Sequence, residues 1–266
     1  MVSVMSETPG VGTPPAAGAV LPETAADALQ PRFRSDVTVE LVKHVASDAD
    51  VLFAARVSTK GESSLDDVNA DPSRSQGLLN YLMRDRHGTP FEHNSMTFFV
   101  SAPIFVFREF MRHRIGFSYN EESGRYRQLE PVFYVPGPDR LLVQEGKPGR
   151  YVFTAGTAEQ HAIAERATKA ACEQAYAAYL EMLSAGIARE VARGVLPVAT
   201  FSSMYVTCNA RSLMALLSLR TKHEDSRFPS FPQREIEMVA EKMEAEWAAL
   251  MPLTHAAFEA HGRVSP

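Results

Sequence analysis

An apolar run, Pro103-Ile104-Phe105-Val106-Phe107, leads directly into a stretch with five arginines: Arg108, Arg112, Arg114, Arg125 and Arg127. His113, Glu109, Glu121 and Glu122 are interleaved with them, and Ser118, Asn120 and Ser123 add neutral polar groups. A core element therefore has to end where a dense set of cations begins. Like charges held close repel, yet the chain as a whole is acidic, with a formal net charge of −5. Such clustering is expected where something anionic sits among the guanidinium groups, since arginine meets phosphate oxygens two at a time. The competing reading is a solvated face laced with salt bridges, each worth only ~0–1 kcal/mol.

With 266 residues and 45% hydrophobic content, the chain can bury one sizeable core, and one domain is expected. The acidic balance argues against a nucleic-acid surface spread over the whole protein and leaves room for a local basic pocket. Cys172 and Cys208 each lie in an apolar stretch, the pattern of reduced, buried thiols in a cytoplasmic protein. No run of about 18 apolar residues suggests a membrane span. The N-terminus lacks a basic start followed by an apolar block, so no secretory signal is expected.

Residues 1–35 are rich in Pro, Ala, Gly, Ser and Thr without apolar period, which predicts a disordered tail; an ordered arm against another subunit is the alternative. Alternation predicts strands over residues 37–42, 94–101 and 200–207. Ser47 and Asp48 cap a predicted helix to about Val57, and Asp71-Pro72 opens another. Pro103 opens a helix with Ile104, Phe107, Phe110 and Met111 inward, and Gly116 ends it. Arg112-His113-Arg114 then sit on its last turn, where the helix dipole favours cations. Residues 117–127 read as an irregular loop, and 139–150 as polar surface. Helices are expected over 158–183, 187–193, 210–221 with Asn209 as cap, and 233–250, the last clearly amphipathic.

His87-Gly88-Thr89-Pro90-Phe91-Glu92-His93 raises the possibility of a metal site. Gly88 and Pro90 break any helix between the two histidines, so helical zinc-ligand geometry is absent and no metal is expected. Gly-x-Gly-x-x-Gly is also missing, which leaves a Rossmann dinucleotide site without support.

Arg112-His113-Arg114 followed by Ser123-Gly124-Arg125-Tyr126 resembles the signature of flavin-dependent thymidylate synthases, the ThyX family. The likeness runs from about residue 37 to about residue 257. It takes in Ala55-Arg56-Val57-Ser58, the His87 to His93 motif, Ala102-Pro103-Ile104-Phe105, Arg193-Gly194-Val195-Leu196-Pro197 and Asn209-Ala210-Arg211-Ser212-Leu213. The resemblance implies an α/β (α+β) fold with a mixed or antiparallel sheet and long helices. Residues 36–266 would form a single catalytic domain. It implies reductive methylation of dUMP to dTMP, with methylenetetrahydrofolate as carbon donor, NADPH as reductant and FAD as cofactor. It implies a homotetramer whose sites are shared between subunits, with no nucleic acid and no membrane as partner.

The resemblance further assigns Ser58, His87, Thr89, Arg112, His113, Arg114, Ile115, Glu121, Asn209, Arg211 and Ala215 to the flavin. To dUMP it assigns Glu109, Arg112, Glu121, Ser123, Gly124, Arg125, Arg193 and Arg220. Arg220 would also be catalytic, binding the uracil ring and favouring its ionised form. Four departures stand out: a spacer before Ser123 one residue longer, near Gly116-Phe117; Glu109 where glutamine is common; Ala215 where some members carry a flavin-contacting asparagine; and a long loop over 221–232. Ser123 has no His-Asp relay beside it in sequence, so hydrogen bonding is its expected role. Neither cysteine lies in an electropositive setting that would activate a thiolate, which fits chemistry without an enzyme thiol. Two alternatives remain open at this level. One is a flavoenzyme acting on another nucleotide. The other is a single-stranded nucleic-acid-binding module that stacks bases on Phe117, Tyr119 and Tyr126.

Overall fold

A computed structural model describes residues 30–61, 72–148 and 150–266. The expectations for residues 1–29 and for Asp71 as a cap lie outside them. The first half runs β1 (Arg32–Arg34), β2 (Thr38–Val45), α1 (Asp48–Lys60), α2 (Pro72–Arg84), β3 (Ser95–Pro103), α3 (Ile104–Phe110) and β4 (Phe117–Glu121). The second runs β5 (Val132–Tyr134), β6 (Val143–Lys147), β7 (Arg150–Thr154), α4 (Ala158–Ser184), α5 (Arg189–Ala192), β8 (Phe201–Cys208), α6 (Ala210–Arg220), α7 (Arg234–Leu250) and α8 (Pro252–Ala260).

Alternation builds the central sheet, an antiparallel array in the order β2-β3-β8-β4. Met96, Phe98 and Val100 pair with Cys208, Val206 and Met204, and all six are buried in the main core. Each such side chain contributes roughly 1.5–3 kcal/mol of apolar burial. The helices supply the other half of that core: Leu213, Leu216 and Leu217 from α6, and Ile236, Val239, Ala240, Met243 and Trp247 from α7. The spacing of both sets matches the helical period expected of them. A second, smaller cluster seats Phe133 against Cys172, Tyr176 and Tyr179 of α4. The sheet positions between the core residues, among them Phe99, Ser101, Ser203 and Tyr205, face the other way and line an open cavity.

Three expectations are corrected or extended. Order begins inside the segment read as tail, because β1 pairs in parallel with β5, Phe33 opposite Phe133. The described residues of 139–150 lie at the surface as expected, and part of them forms β6 of a β6-β7 hairpin. The helix opened by Pro103 stops at Phe110, not at Gly116, and residues 117–121 are a strand on β8 rather than irregular loop. The Tyr119 hydroxyl explains the early stop. It donates towards the carbonyls of His113 (2.7 Å) and Phe110 (3.1 Å), groups that a continuing helix would have paired with its own N–H. Arg112-His113-Arg114 therefore form a corner after the helix, not its last turn.

One of the buried charge clusters in the helical layer centres on Arg263 and Glu244. Arg263, 3% exposed, forks onto both carboxylate oxygens of Glu244 at 2.7 Å, and His255 Nε2 lies 2.9 Å from the same carboxylate. Burial pushes the Glu244 carboxyl up, but hydrogen bonds from His255 and Arg263 outweigh it and bring its pKa from 4.5 to about 2. A carboxylate depressed on folding stabilises fully above its unfolded pKa and loses that contribution as pH falls through the folded value. The shift corresponds to about 3 kcal/mol. Urea unfolding of the parent and Glu244→Gln across pH should show the gap between them shrinking from about pH 4.5 towards about 2. A pH-independent gap would contradict the assignment.

Candidate active site

Helix α6 positions the first group. Asn209 caps it, its side chain accepting from the Ser212 N–H at 2.9 Å, and its buried leucines fix its rotation. Arg220 on the last turn is thereby directed back at α3. Its Nη1 is ion-paired with Glu109, and its Nε donates to His113 Nε2 at 3.0 Å. Burial first, and the Arg220 charge second, lower the His113 pKa to about 4. The imidazole is therefore neutral near pH 7. Because Nε2 accepts from a guanidinium that is always a donor, the ring proton sits on Nδ1. The resemblance assigns His113 to the flavin and Glu109 and Arg220 to dUMP; the structure joins the two sets, with Arg220 bound to both His113 and Glu109.

The corner itself is pressed onto the start of α6. Gly116 has φ +69°, and a Cβ there would lie 2.0 Å from Ser212 Oγ and 3.3 Å from Asn209 Nδ2. Only glycine makes this approach, so Gly116 sets the close contact between the corner and α6. Arg112, Arg114 and Ile115 are left outward, Ile115 at 90% exposure.

The His87 motif reaches the same end of α6. Gly88 is covered by Arg211, whose Cζ would be 2.4 Å from a Cβ. Arg211 pairs with Glu92 at 2.5 Å, and the Asn94 side chain accepts from the Ala210 N–H at 2.8 Å. His87 and Thr89 are exposed beside them. Ser58 and Ala215 are exposed too; the Ser58 hydroxyl donates to the Ala55 carbonyl at 3.1 Å.

A second group surrounds a cleft of about 280 Å³ lined by Glu121, Glu122, Gly124, Glu190, Arg193 and Ser202, among others. Glu121 accepts from the Ser202 hydroxyl at 2.7 Å. A Cβ on Gly124 would lie 3.2 Å from Arg193 Cδ, so glycine lets that arginine cross closely. Ser123 begins a turn, its carbonyl accepting from the N–H groups of Tyr126 and Arg127. Arg125 pairs with Glu190 at 2.6 Å. Burial raises the Glu122 carboxyl, against the lowering effect of Arg127. Glu121 and Glu122 also border the cavity of about 800 Å³ on the uncovered sheet face, with Arg32, Arg34 and Arg127.

Sequence reasoning missed Glu190, Ser202, Arg32 and Arg34 in this surface. Ser202 lies in an alternating strand and carries no mark of its own. Arg32 and Arg34 fell in the segment read as tail. The two cation groups sit on different parts of the protomer: Arg112 and Arg114 on the corner by α6, Arg125 and Arg193 around the cleft.

The corner suits a planar cofactor with a diphosphate. Two exposed guanidinium groups and an exposed isoleucine supply charge and an apolar surface for it, while the close approaches of Arg211 to Gly88 and of Ser212 to Gly116 hold the corner in shape.

Comparisons agree with this geometry. The family model described as thymidylate synthase complementing protein matches residues 40–253. A flavin-dependent thymidylate synthase of Streptomyces avermitilis is 72% identical over 244 residues, which cover 92% of this chain and 99% of that protein. A solved UMP/dUMP methylase, PolB of Streptomyces cacaoi, is also similar. Its structure with 5-Br dUMP is 58% identical with TM-score 0.83, covering 88% of this chain and 99% of that one. Its structure with 5-Br UMP is 55% identical with TM-score 0.81, covering 89% and 99%.

Proposed function

The chain belongs to the flavin-dependent thymidylate synthase family, and from that premise we propose that it methylates dUMP reductively to dTMP, using FAD, NADPH and methylenetetrahydrofolate. The observation that carries the reading is the Arg220-His113-Glu109 cluster on the rigid end of α6. Glu109 and neutral His113 hold Nη1 and Nε. Among the described contacts Nη2 has no partner, so that edge is turned to the pyrimidine. A fixed guanidinium there stabilises negative charge on the ring without reorganising during the reaction. Arg193, with Ser123, Gly124 and Arg125 around the cleft, holds the nucleotide's phosphate and sugar. Arg112, His113, Arg114, Ile115, Asn209 and Arg211 hold FAD, which supplies the redox chemistry. The separation of the two cation groups supports a homotetramer in which one protomer's corner completes another's cleft.

The test is direct. Purified protein should take up FAD and show its yellow absorbance, and should form dTMP from dUMP when both co-substrates are present. Colourless protein that FAD does not reconstitute would sink the reading, and so would a nucleic-acid affinity that falls steeply with salt in its place.

A second reading concerns the sugar. The PolB structures carry both 5-Br UMP and 5-Br dUMP, so acceptance of UMP beside dUMP is a specific alternative. Parallel assays with the two nucleotides decide between them.

The thiols provide an independent prediction. Both cysteines are buried; burial pushes Cys208 up to about 12 and raises Cys172, the effect of Glu173 coming second. A protonated, enclosed thiol is a poor nucleophile. The Cys172→Ala/Cys208→Ala double variant should therefore keep dTMP formation. A folded double variant that binds FAD and dUMP but makes no dTMP would refute a thiol-free route.

A further inference from the structure

Helix α6 carries Arg211 at one end and Arg220 at the other, and residues 261–266 hold both ends. At the Arg220 end, Arg263 Nη2 donates to Thr221 Oγ1 at 3.0 Å, and that hydroxyl donates on to the Leu217 carbonyl at 2.7 Å. The Ser218 hydroxyl lies 2.7 Å from the Arg263 carbonyl. At the other end, the Ser265 hydroxyl donates to the Arg211 carbonyl at 3.0 Å, and Arg211 Nε donates to the Pro266 carbonyl at 2.8 Å. The loop after Arg220 is tied in as well, the Arg227 N–H donating to the Gly262 carbonyl at 2.9 Å.

Arg263 is the rigid centre of this strap. Its guanidinium is enclosed and forked onto Glu244, and its backbone sits at φ +55°, a region a non-glycine residue keeps only when its surroundings over-determine it. Thr221, 5% exposed, follows Arg220 directly and is the group through which Arg263 grips the helix end. The matched family segment stops at residue 253, so these contacts are made from outside it.

We propose that Arg263 is a positioning residue for Arg220, acting through Thr221 to fix the end of α6 so that the Arg220 guanidinium is held in place for the nucleotide. The proposal rests on the reading of Arg220 given above. A guanidinium displaced by even about 1 Å can cost orders of magnitude in rate, whereas a purely structural arginine would change melting temperature without changing turnover of the folded enzyme.

The experiment is a double-mutant cycle on the full-length, FAD-loaded enzyme, assayed well below each variant's melting temperature. It combines Arg263→Ala with Arg220→Lys and records kcat, KM for dUMP and FAD content. Arg263→Ala alone should lower kcat roughly tenfold with FAD content unchanged. In the Arg220→Lys background it should add little, because the group it positions is already gone. Thr221→Val removes the intervening hydroxyl and should lower kcat in the same non-additive way; it carries the test if Arg263→Ala does not fold. Parent-like kcat in these variants, or losses that multiply with Arg220→Lys, would overturn the proposal while leaving the role of Arg220 standing. Parent-like kcat in Arg220→Lys itself would overturn that role, and the positioning proposal with it.

Discussion

Arg220→Lys is expected to lower dTMP formation by roughly tenfold or more, with little change in FAD content or melting temperature. Lysine keeps the positive charge at the end of α6, so any favourable interaction with the helix dipole, ~0.3–1 kcal/mol, survives. What it cannot keep is the planar fork. Arg220 uses Nε on His113 and Nη1 on Glu109 at the same time, which orients the remaining edge of the guanidinium. An ammonium has no fixed edge, and its three donors rotate freely. Losing one charge-assisted hydrogen bond to the pyrimidine costs on the order of 1.5–3 kcal/mol, and the freed Glu109 and His113 no longer hold a direction. Parent-like turnover and dUMP affinity in Arg220→Lys would leave only the dipole role.

Asp48→Ala is expected to give the larger stability effect, a loss of ~2–4 kcal/mol in unfolding free energy. Asp48 opens α1, but its carboxylate serves another helix. Oδ1 accepts from the Thr254 N–H at 2.8 Å and from its hydroxyl at 2.6 Å, and Oδ2 accepts from the Leu253 N–H at 3.0 Å. These are orphan donors in the first turn of α8, whose own N-cap, Met251, offers no side-chain acceptor. Thr254 is fully buried, so alanine at 48 would strand its hydroxyl in the core next to an uncapped N–H. Asp48→Asn should recover part of the loss, since an amide oxygen still accepts. A melting curve for Asp48→Ala within a degree of the parent would show that water replaces the carboxylate.

These two residues also mark where sequence stops being legible. The amphipathic period of α7, the alternation of β3 and β8 and the Asn209 cap depend on neighbours a few positions away, and all of them appear in the structure near their expected bounds. Asp48 was readable as a cap, but not as the cap of a helix that begins at Pro252. The end of α3 depends on the hydroxyl of Tyr119, which lies in a later strand, so the helix looked longer than it is. Residues 117–121 alternate, Phe117 and Tyr119 against Ser118 and Asn120, but the charges on either side masked the period. At the site, the motifs around Arg112, Ser123 and Asn209 could be found by likeness. The bond between Arg220 and His113, and that between Glu121 and Ser202, could not, because each joins segments that only the closed sheet brings together.

The strand order carries a consequence for how such a chain reaches its native state. Among the described residues, β4 hydrogen-bonds in its sheet only to β8, which begins at Phe201. β2 can pair with β3 in the absence of β8, but the Arg-His-Arg corner has no wall until a far later part of the chain arrives, and closing so long a loop slows the step. Gly116 meets Ser212 only after that arrival. The catalytic corner is therefore complete only when β8 and the start of α6 are both in place. A protomer whose β8 and α6 are detached could still pair β2 with β3, but it would have no corner to hold a ligand.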